Sequence, residues 1–215
     1  MALKKTIRLA ILLTLSTSLS FGQTDLDYQL YSQVLNNFIN EGLRYNEQTS
    51  QVVVINKYIP DENIASAYGE DFLGDDEHSI RMVLHYDTMK IRLFNDAKVK
   101  DVLKQLERDF FETPSLDENK FVLTTTVSAI TNREFKSYFK KGFDRRTDKG
   151  WKKFYKKHPG SHGVFEFSKI VYADYYACFY VGRHSGGLSG SGDIVIAKRR
   201  NGEWDIITSV NIWMS

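Results

Sequence analysis

Asn201-Gly202, set between two segments of alternating apolar residues, is the feature that most constrains the fold. This dipeptide is typical of a two-residue β-hairpin turn, because both turn positions need positive φ angles that asparagine and glycine tolerate. A turn of that length also fixes which residues face each other. The predicted pairs are Arg199 with Trp204, Ala197 with Ile206, and Val195 with Thr208. The side chains expected to bury one shared face of the last strand are Trp204, Ile206, Val210 and Ile212.

Two further strands are predicted before this hairpin, at residues 164–172 and 174–182. The second carries apolar side chains on both of its faces, which indicates a covered, central place in the sheet. The last 53 residues of the chain therefore predict a four-stranded antiparallel meander.

Helical and extended segments alternate in the rest of the chain. Apolar residues at three- and four-residue spacings predict helices at 25–41, 96–111, 131–142 and 148–157. The third helix begins with Thr131-Asn132-Arg133-Glu134, which fits a capping box. Strands are predicted at 51–58 and 120–130, whereas 61–95 fits either a helix or a pair of strands.

These elements predict an α+β fold. We expect the N-terminal helix and the short helices to pack on one face of a curved antiparallel sheet of about five to seven strands, which ends in the meander. The arrangement is similar in outline to the cones of cystatin-like and nuclear-transport-factor-like folds, an analogy that implies no function. No repeat or linker divides the chain, so residues 23–215 are expected to form a single α+β domain.

Residues 1–22 have the pattern of a cleaved secretory signal peptide. Lys4, Lys5 and Arg8 precede an apolar run at 9–15 that is too short to span a bilayer. Small residues, Ser20 and Gly22, then lie before the predicted cleavage site at Gln23. We expect export to the periplasm or the cell exterior, and no membrane span in the mature protein.

Signal removal changes the charge balance. The mature chain of 193 residues would carry 26 basic against 27 acidic residues, so a nucleic-acid partner is not expected. The charge is nevertheless segregated. Residues 61–77 hold seven acids and no base, whereas 136–162 hold ten lysines or arginines and two acids. The basic stretch predicts contact with an anionic glycan or another cell-envelope protein through Lys152 and Lys156, unless its lysines are only the solvated side of an amphipathic helix. Trp151 and Tyr155 would then serve as stacking platforms or, alternatively, face the core.

The most unusual segment is 182–192, which holds five glycines and three serines around His184. One hypothesis is a hydrolase in which His184 activates Ser185, Ser189 or Ser191, with backbone amides of the segment holding the oxyanion. The segment joins two strands, however, and no serine fits G-x-S-x-G. We favour a strand connection that needs glycine for positive φ angles or a bulge. Its expected ligand contacts are His184, Gly186, Gly187, Gly190 and Gly192.

Metal and thiol chemistry find little support in the sequence. His158 and His162 are four residues apart, but Pro159 and Gly160 exclude helical zinc geometry between them. Cys178 is the only cysteine and falls in an apolar strand, which leaves no disulfide and no exposed thiolate. We expect no metal and no cofactor.

Several motifs in the last 65 residues occur in a specific order. They are W-x-x-F-Y from Trp151, P-G-S-x-G from Pro159, G-G-L-x-G-x-G from Gly186, W-x-I from Trp204 and W-x-S from Trp213. This pattern resembles a family of small secreted bacterial proteins of unknown function. In that family, cysteines often occupy the places of Ser185 and Ser189, which implies a short disulfide there and a shape role for the two serines here.

The resemblance implies no activity. The function expected from the residues is that of a non-catalytic binding module, secreted or periplasmic, with the glycine-rich segment and the basic helices as its contact surface. The hydrolase stays the alternative.

Overall fold

The computed structural model describes residues 24–44, 50–57, 87–109, 112–139 and 148–215. The described strands are β1 (Gln51–Ile55), β2 (Thr126–Ile130), β3 (Val164–Phe167), β4 (Val171–Ala173), β5 (Tyr176–Gly186), β6 (Ser189–Arg200) and β7 (Glu203–Met214). The helices are α1 (Asp25–Arg44), α2 (Thr88–Phe94), α3 (Ala97–Asp109), α4 (Asn132–Ser137) and α5 (Asp148–Lys157), with a 3₁₀ helix at Glu118–Lys120. The predicted signal peptide and most of the ambiguous segment 61–95 lie outside the described residues.

The strands form one mostly antiparallel sheet in the order β2-β1-β3-β5-β6-β7, with β4 also paired to β5. Strands β4 to β7 pair successively and antiparallel, which confirms the predicted meander. β1 instead lies parallel to both β2 and β3, an arrangement that the sequence pattern did not predict. Parallel neighbours need a long crossover, and the chain between β1 and β2 contains α2 and α3.

β5 has the covered, central place that its two apolar faces predicted. Ala177 and Phe179 pack in the cluster that contains α1, whereas Cys178 and Tyr180 pack in the cluster that contains α3. Helices therefore cover both faces of the sheet. The expectation of helices on one face was wrong, because a strand with apolar side chains on both sides needs a cover on each.

α1 covers one face. Its side chains Tyr31 and Leu35 are fully buried, and the Tyr31 hydroxyl donates to the Ser168 carbonyl at 2.8 Å. This bond fixes the helix over the junction between β3 and β4. The helix runs on to Arg44, so the predicted end at Gly42 falls inside its last turn.

α3 covers the other face with the side chains that its helical spacing predicted. The buried residues are Val99, Val102, Leu103 and Leu106. α2 precedes it, and the Asp87 carboxylate caps α2 by accepting hydrogen bonds from the Met89 and Lys90 amides. The described end of the segment 61–95, for which the sequence fitted either a helix or a pair of strands, is thus helical.

The β6–β7 hairpin turns at Asn201-Gly202, and both residues have positive φ. The pairs of Arg199 with Trp204 and of Ala197 with Ile206 are confirmed. Val195 pairs with Ser209 and not with Thr208, because the register shifts between Ile196 and Ala197.

That register shift also changes which face of the sheet the side chains of β7 point to. Trp204 and Ile206 pack with α1, whereas Val210 and Ile212 pack in the cluster on the α3 side. The predicted single buried face was therefore wrong, since a β-bulge moves every later side chain to the opposite face.

α4 and α5 pack an aromatic cluster against β1 and β3. The Thr131 hydroxyl accepts a hydrogen bond from the Glu134 amide at 3.0 Å, which confirms one half of the predicted capping box. The Glu134 carboxylate does not supply the other half, because it accepts from Lys157 and the Tyr138 hydroxyl instead. α4 ends at Ser137, before the predicted end near Gly142, whereas α5 has its predicted bounds. The buried aromatic residues of this cluster are Phe135, Tyr138, Phe139, Trp151 and Phe154.

Three predicted strands are shorter in the structure. β1 ends at Ile55, inside the predicted segment 51–58. Only Thr126–Ile130 of the segment 120–130 is paired, and 164–172 divides into β3 and β4. The break falls at Ser168, where the hydroxyl accepts a hydrogen bond from the Tyr180 amide at 2.8 Å. Among the described helices, none is both long and apolar enough to cross a bilayer.

Candidate functional site: the glycine-rich hairpin and helix α5

The glycine-rich segment 182–192 is mostly strand. β5 continues to Gly186 and β6 begins at Ser189, so only Gly187-Leu188 form the turn. The pairing shifts between His184 and Gly186, which confirms the predicted bulge. Among the described residues, the glycines with a positive φ angle are Gly160, Gly163 and Gly202, and none of the glycines in this segment has one. The expectation of positive φ was therefore wrong here, and close packing explains the glycines.

The glycines leave space on the face of the sheet that α3 also covers. Gly182 lies opposite Gly192 in the ladder. A Cβ at Gly182 would stand 2.5 Å from Glu166 Oε1, and a Cβ at Gly192 would overlap the indole nitrogen of Trp213. Larger residues at these two positions would displace the side chains of Glu166 and Trp213. The glycines therefore make room for a buried polar cluster.

That cluster is a chain of hydrogen bonds centred on Glu166. Trp213 Nε1 donates to the Tyr180 hydroxyl at 3.1 Å, and this hydroxyl donates to Glu166 Oε1 at 3.2 Å. His184 Nε2 lies 3.0 Å from the same oxygen, and its ring stacks on Trp213. Glu166 is only 1% exposed, and its Oε2 has no hydrogen-bond partner. Glu166 is not among the site residues predicted from the sequence, although a carboxylate inside the apolar strand Val164–Phe167 is an available signal.

The serines of the segment lie apart from His184. Successive strand residues point to opposite faces, and Ser191 pairs with Arg183 on the face that α1 covers. The hydroxyls of Ser185 and Ser189 lie 2.8 Å apart and bond to each other. Within the described chain, no hydrogen bond joins His184 to any of the three serines. Among the described residues, the structure thus hydrogen-bonds His184 to a carboxylate and to none of the three candidate serines.

The predicted ligand contacts of the segment differ in accessibility. His184 and Gly192 are buried, whereas Gly186, Gly187 and Gly190 are partly exposed. Leu188 is 76% exposed at the turn. The accessible part of the hairpin is therefore its tip.

α5 lies beside this hairpin. The Tyr155 hydroxyl donates to the Ser185 carbonyl at 2.6 Å, which joins the helix to the end of β5. Lys152 and Lys156 are exposed, as are Lys149 and Lys153. Trp151 is 4% exposed and packs on Phe154, so it cannot stack on a ligand as one prediction had it. Burial also raises the pKa of the half-buried Tyr155.

Of the remaining histidine and cysteine candidates, His158 and Cys178 belong to the core, whereas His162 is partly exposed. His158 is buried beside Tyr138, with 3.2 Å between its Nε2 and the hydroxyl, and desolvation lowers the pKa of the imidazole. Cys178 is fully buried, which raises the pKa of its thiol far above the ordinary range. Among the residues that the structure describes, no three metal-binding side chains meet.

No family model, curated protein or solved structure matches this chain. The resemblance of the last 65 residues to secreted bacterial proteins stays a prediction. Function must therefore be inferred from the geometry of the hairpin and of α5.

Proposed function

We propose that the protein is an exported, non-catalytic binding module that holds a polyanionic glycan on the lysine face of α5, beside the tip of the glycine-rich hairpin. We define the lysine face as Lys149, Lys152, Lys153 and Lys156. The observation that carries this proposal is that the four ammonium groups share one side of the helix and that no acid of the described residues forms an ion pair with them. Export rests on the pattern of residues 1–22.

The lysine face follows from helical geometry. At about 3.6 residues per turn, the four positions fall within an arc of about 100°, opposite the buried Trp151 and Phe154. They extend over about 10 Å of helix length. A linear polyanion could therefore contact all four ammonium groups at once.

None of the four lysines has a carboxylate partner among the described residues, whereas the neighbouring Lys157 pairs with Glu134 at 2.6 Å. Like charges three and four positions apart destabilise a helix by roughly 0.2–0.5 kcal/mol for each pair. Such an arrangement lowers stability in the free protein and becomes favourable when an anion neutralises it.

A glycan fits this surface better than a nucleic acid does. Nucleic-acid sites on single strands combine basic groups with exposed aromatic rings on which bases stack. On α5 the aromatic rings face the core, and Tyr155 is tied to the Ser185 carbonyl. The lysine face therefore offers charge without stacking, which suits sulfate, phosphate or uronate groups on a sugar chain. The hydrolase alternative gains no support, because His184 bonds to Glu166, Ser191 lies on the opposite face, and the hydroxyls of Ser185 and Ser189 bond to each other.

The test compares dextran sulfate with unsulfated dextran of the same length by isothermal titration at low salt. We expect the wild-type protein to bind the sulfated polymer and to show no measurable binding of the neutral one. The double variant Lys152→Glu/Lys156→Glu should bind at least tenfold more weakly.

The matched control is Lys100→Glu/Lys104→Glu, which makes the same change of charge at the same spacing on exposed positions of α3. Its affinity should fall less than about twofold if the lysine face is the site. Circular dichroism confirms that each variant is folded. Equal weakening by both pairs, or equal binding of both polymers, would contradict the proposal.

A further inference from the structure

A cleft of about 390 Å³ lies between α1 and the sheet, on the face opposite the Glu166 cluster. Its walls include Phe38 from α1, Phe165 from β3 and Val195 from β6. Clefts that hold small molecules have volumes of about 300–1,000 Å³ and are mostly apolar with a few polar groups. This cleft has the size of such a site, and its walls hold apolar and polar side chains in equal number.

The polar groups of the cleft come from the glycine-rich hairpin. Arg183, Ser191 and Asp193 alternate with the glycines, so they point to the α1 face. Arg183 already donates to the His162 carbonyl at 3.2 and 3.0 Å and lies 4.3 Å from the centre of the Phe38 ring. Its guanidinium is thereby held in the wall.

Asp193 is the polar group that the fold does not account for. It is partly buried, and in the part of the chain that the structure describes its side chain accepts one hydrogen bond, from the Asn211 amide at the long distance of 3.3 Å. Partial burial raises the pKa of this carboxyl. Lys90, whose ammonium donates to the Ser209 carbonyl at 3.2 Å, offsets this rise only in part and does not form an ion pair with Asp193 among the described residues. A partly desolvated carboxylate without a direct ion-pair partner costs stability, and such groups cluster at functional sites.

The charges around Asp193 favour a cationic ligand. Glu41 is the other acid on the cleft, and it is exposed on α1. Arg183 is engaged by His162 and Phe38, and Ser191 adds a hydroxyl that can accept a hydrogen bond. The cleft therefore presents acceptors for an ammonium group next to an apolar wall.

We propose that this cleft binds a small amphipathic cation, a primary ammonium on a compact apolar body, with the ammonium on the Asp193 carboxylate and the body against Phe165 and Val195. This site goes beyond the glycan surface of α5 and is independent of it. It gives the polar residues of the glycine-rich hairpin a role that their packing alone does not explain.

The test uses three probes with one ring system and different charges: 1-naphthylmethylammonium, 1-naphthylmethanol and 1-naphthylacetate. Isothermal titration of the full chain should show the ammonium bound at least tenfold more tightly than the alcohol, and the carboxylate weakest. Absence of saturable binding of the ammonium, or equal affinities across the series, would overturn the proposal.

Two variants locate the site. Asp193→Asn keeps an oxygen for the Asn211 amide, so it should fold, raise Tm at pH 7 and weaken binding of the ammonium at least tenfold, with the alcohol unchanged. Ser209→Trp should block all three probes from an exposed position on the cleft, whereas Glu203→Trp, exposed on the same strand outside the cleft, should not. An Asp193→Asn variant that binds the ammonium probe as tightly as the wild-type protein does would contradict the proposed site.

Discussion

At the scale of single residues, the packing of the hairpin depends on the absence of side chains at its glycines. Gly192 has an ordinary backbone conformation, yet a methyl group there would overlap the Trp213 indole. The same indole donates to Tyr180 and stacks on His184, so one added carbon would displace the whole Glu166 cluster. Small-to-large changes in packed sites typically cost about 1–3 kcal/mol.

We therefore expect Gly192→Ala to lower the free energy of unfolding by about 1–3 kcal/mol, measured by chemical denaturation. Gly186→Ala is the matched control, because the nearest atom to a Cβ there is the Ser189 Cβ at 3.2 Å. The control should cost less than about 1 kcal/mol. A Gly192→Ala protein as stable as the control would show that the indole does not hold this position.

Ser185 and Ser189 form the second feature at this scale. Their hydroxyls lie 2.8 Å apart across the turn, so two cysteines at these positions should form a disulfide with little movement of the backbone. The bridge would close a loop of five residues, for which the chain-entropy model gives about 2 kcal/mol of stabilisation.

The double variant Ser185→Cys/Ser189→Cys should accordingly oxidise in air and unfold at a higher temperature than its reduced form. Buried Cys178 should stay out of the exchange, since its thiol is inaccessible. Thiol titration after denaturation counts one free thiol if the bridge forms. Three free thiols under oxidising conditions would contradict the geometry.

At the scale of elements, the charge pattern of α5 should affect stability and binding in opposite directions, because the lysines that would bind a polyanion repel one another in the free helix. Lys153 repels Lys149 and Lys156 at helical spacing and has no acid three or four residues away on the helix, so Lys153→Glu replaces two repulsions with two attractions. We expect this variant to raise Tm by about 1–3 °C at low salt, and 1 M NaCl should remove most of the gain. A Tm that falls would mean that Lys153 makes a stabilising contact.

Local chemistry predicted the elements that carry their own boundary signals. α5 has its predicted bounds because Trp151 and Phe154 follow one helical face before Pro159, and the Asn201-Gly202 turn pairs the residues nearest to it as expected. The bulge between the pairs of Ile196 and Ala197 carries no such signal, so the face of Val210 was predicted wrongly. Bulges depend on how the sheet must bend over its two helical layers, which is a property of the assembled sheet.

At the scale of the whole molecule, partners distant in sequence decide the site. Two apolar faces of β5 predicted its central place, but no local pattern showed that β1 pairs parallel with β3 or that Glu166 meets His184. The segment 182–192 was recognisable as unusual, whereas its division into a glycine face and a polar face required the strand register. The cleft at Asp193 likewise needs α1 to be in place.

Export is the other claim at this scale. If residues 1–22 are a cleaved signal, the protein recovered from a secreting bacterial host should begin at Gln23, as N-terminal sequencing or intact mass would show. Protein that keeps Met1 and stays with the cytoplasm would contradict export, and a glycan partner outside the cell would lose its basis.

The dependence of dextran sulfate affinity on salt tests the central claim most directly. Each lysine that neutralises a polyanion releases about 0.7–0.9 counterions, so four lysines predict a slope of about −3 in log affinity against log salt. Lys152→Glu/Lys156→Glu should reduce the magnitude of this slope by at least about 1.5, with Lys100→Glu/Lys104→Glu unchanged. A slope near zero in the wild-type protein, or one that both double variants share, would contradict binding at the lysine face.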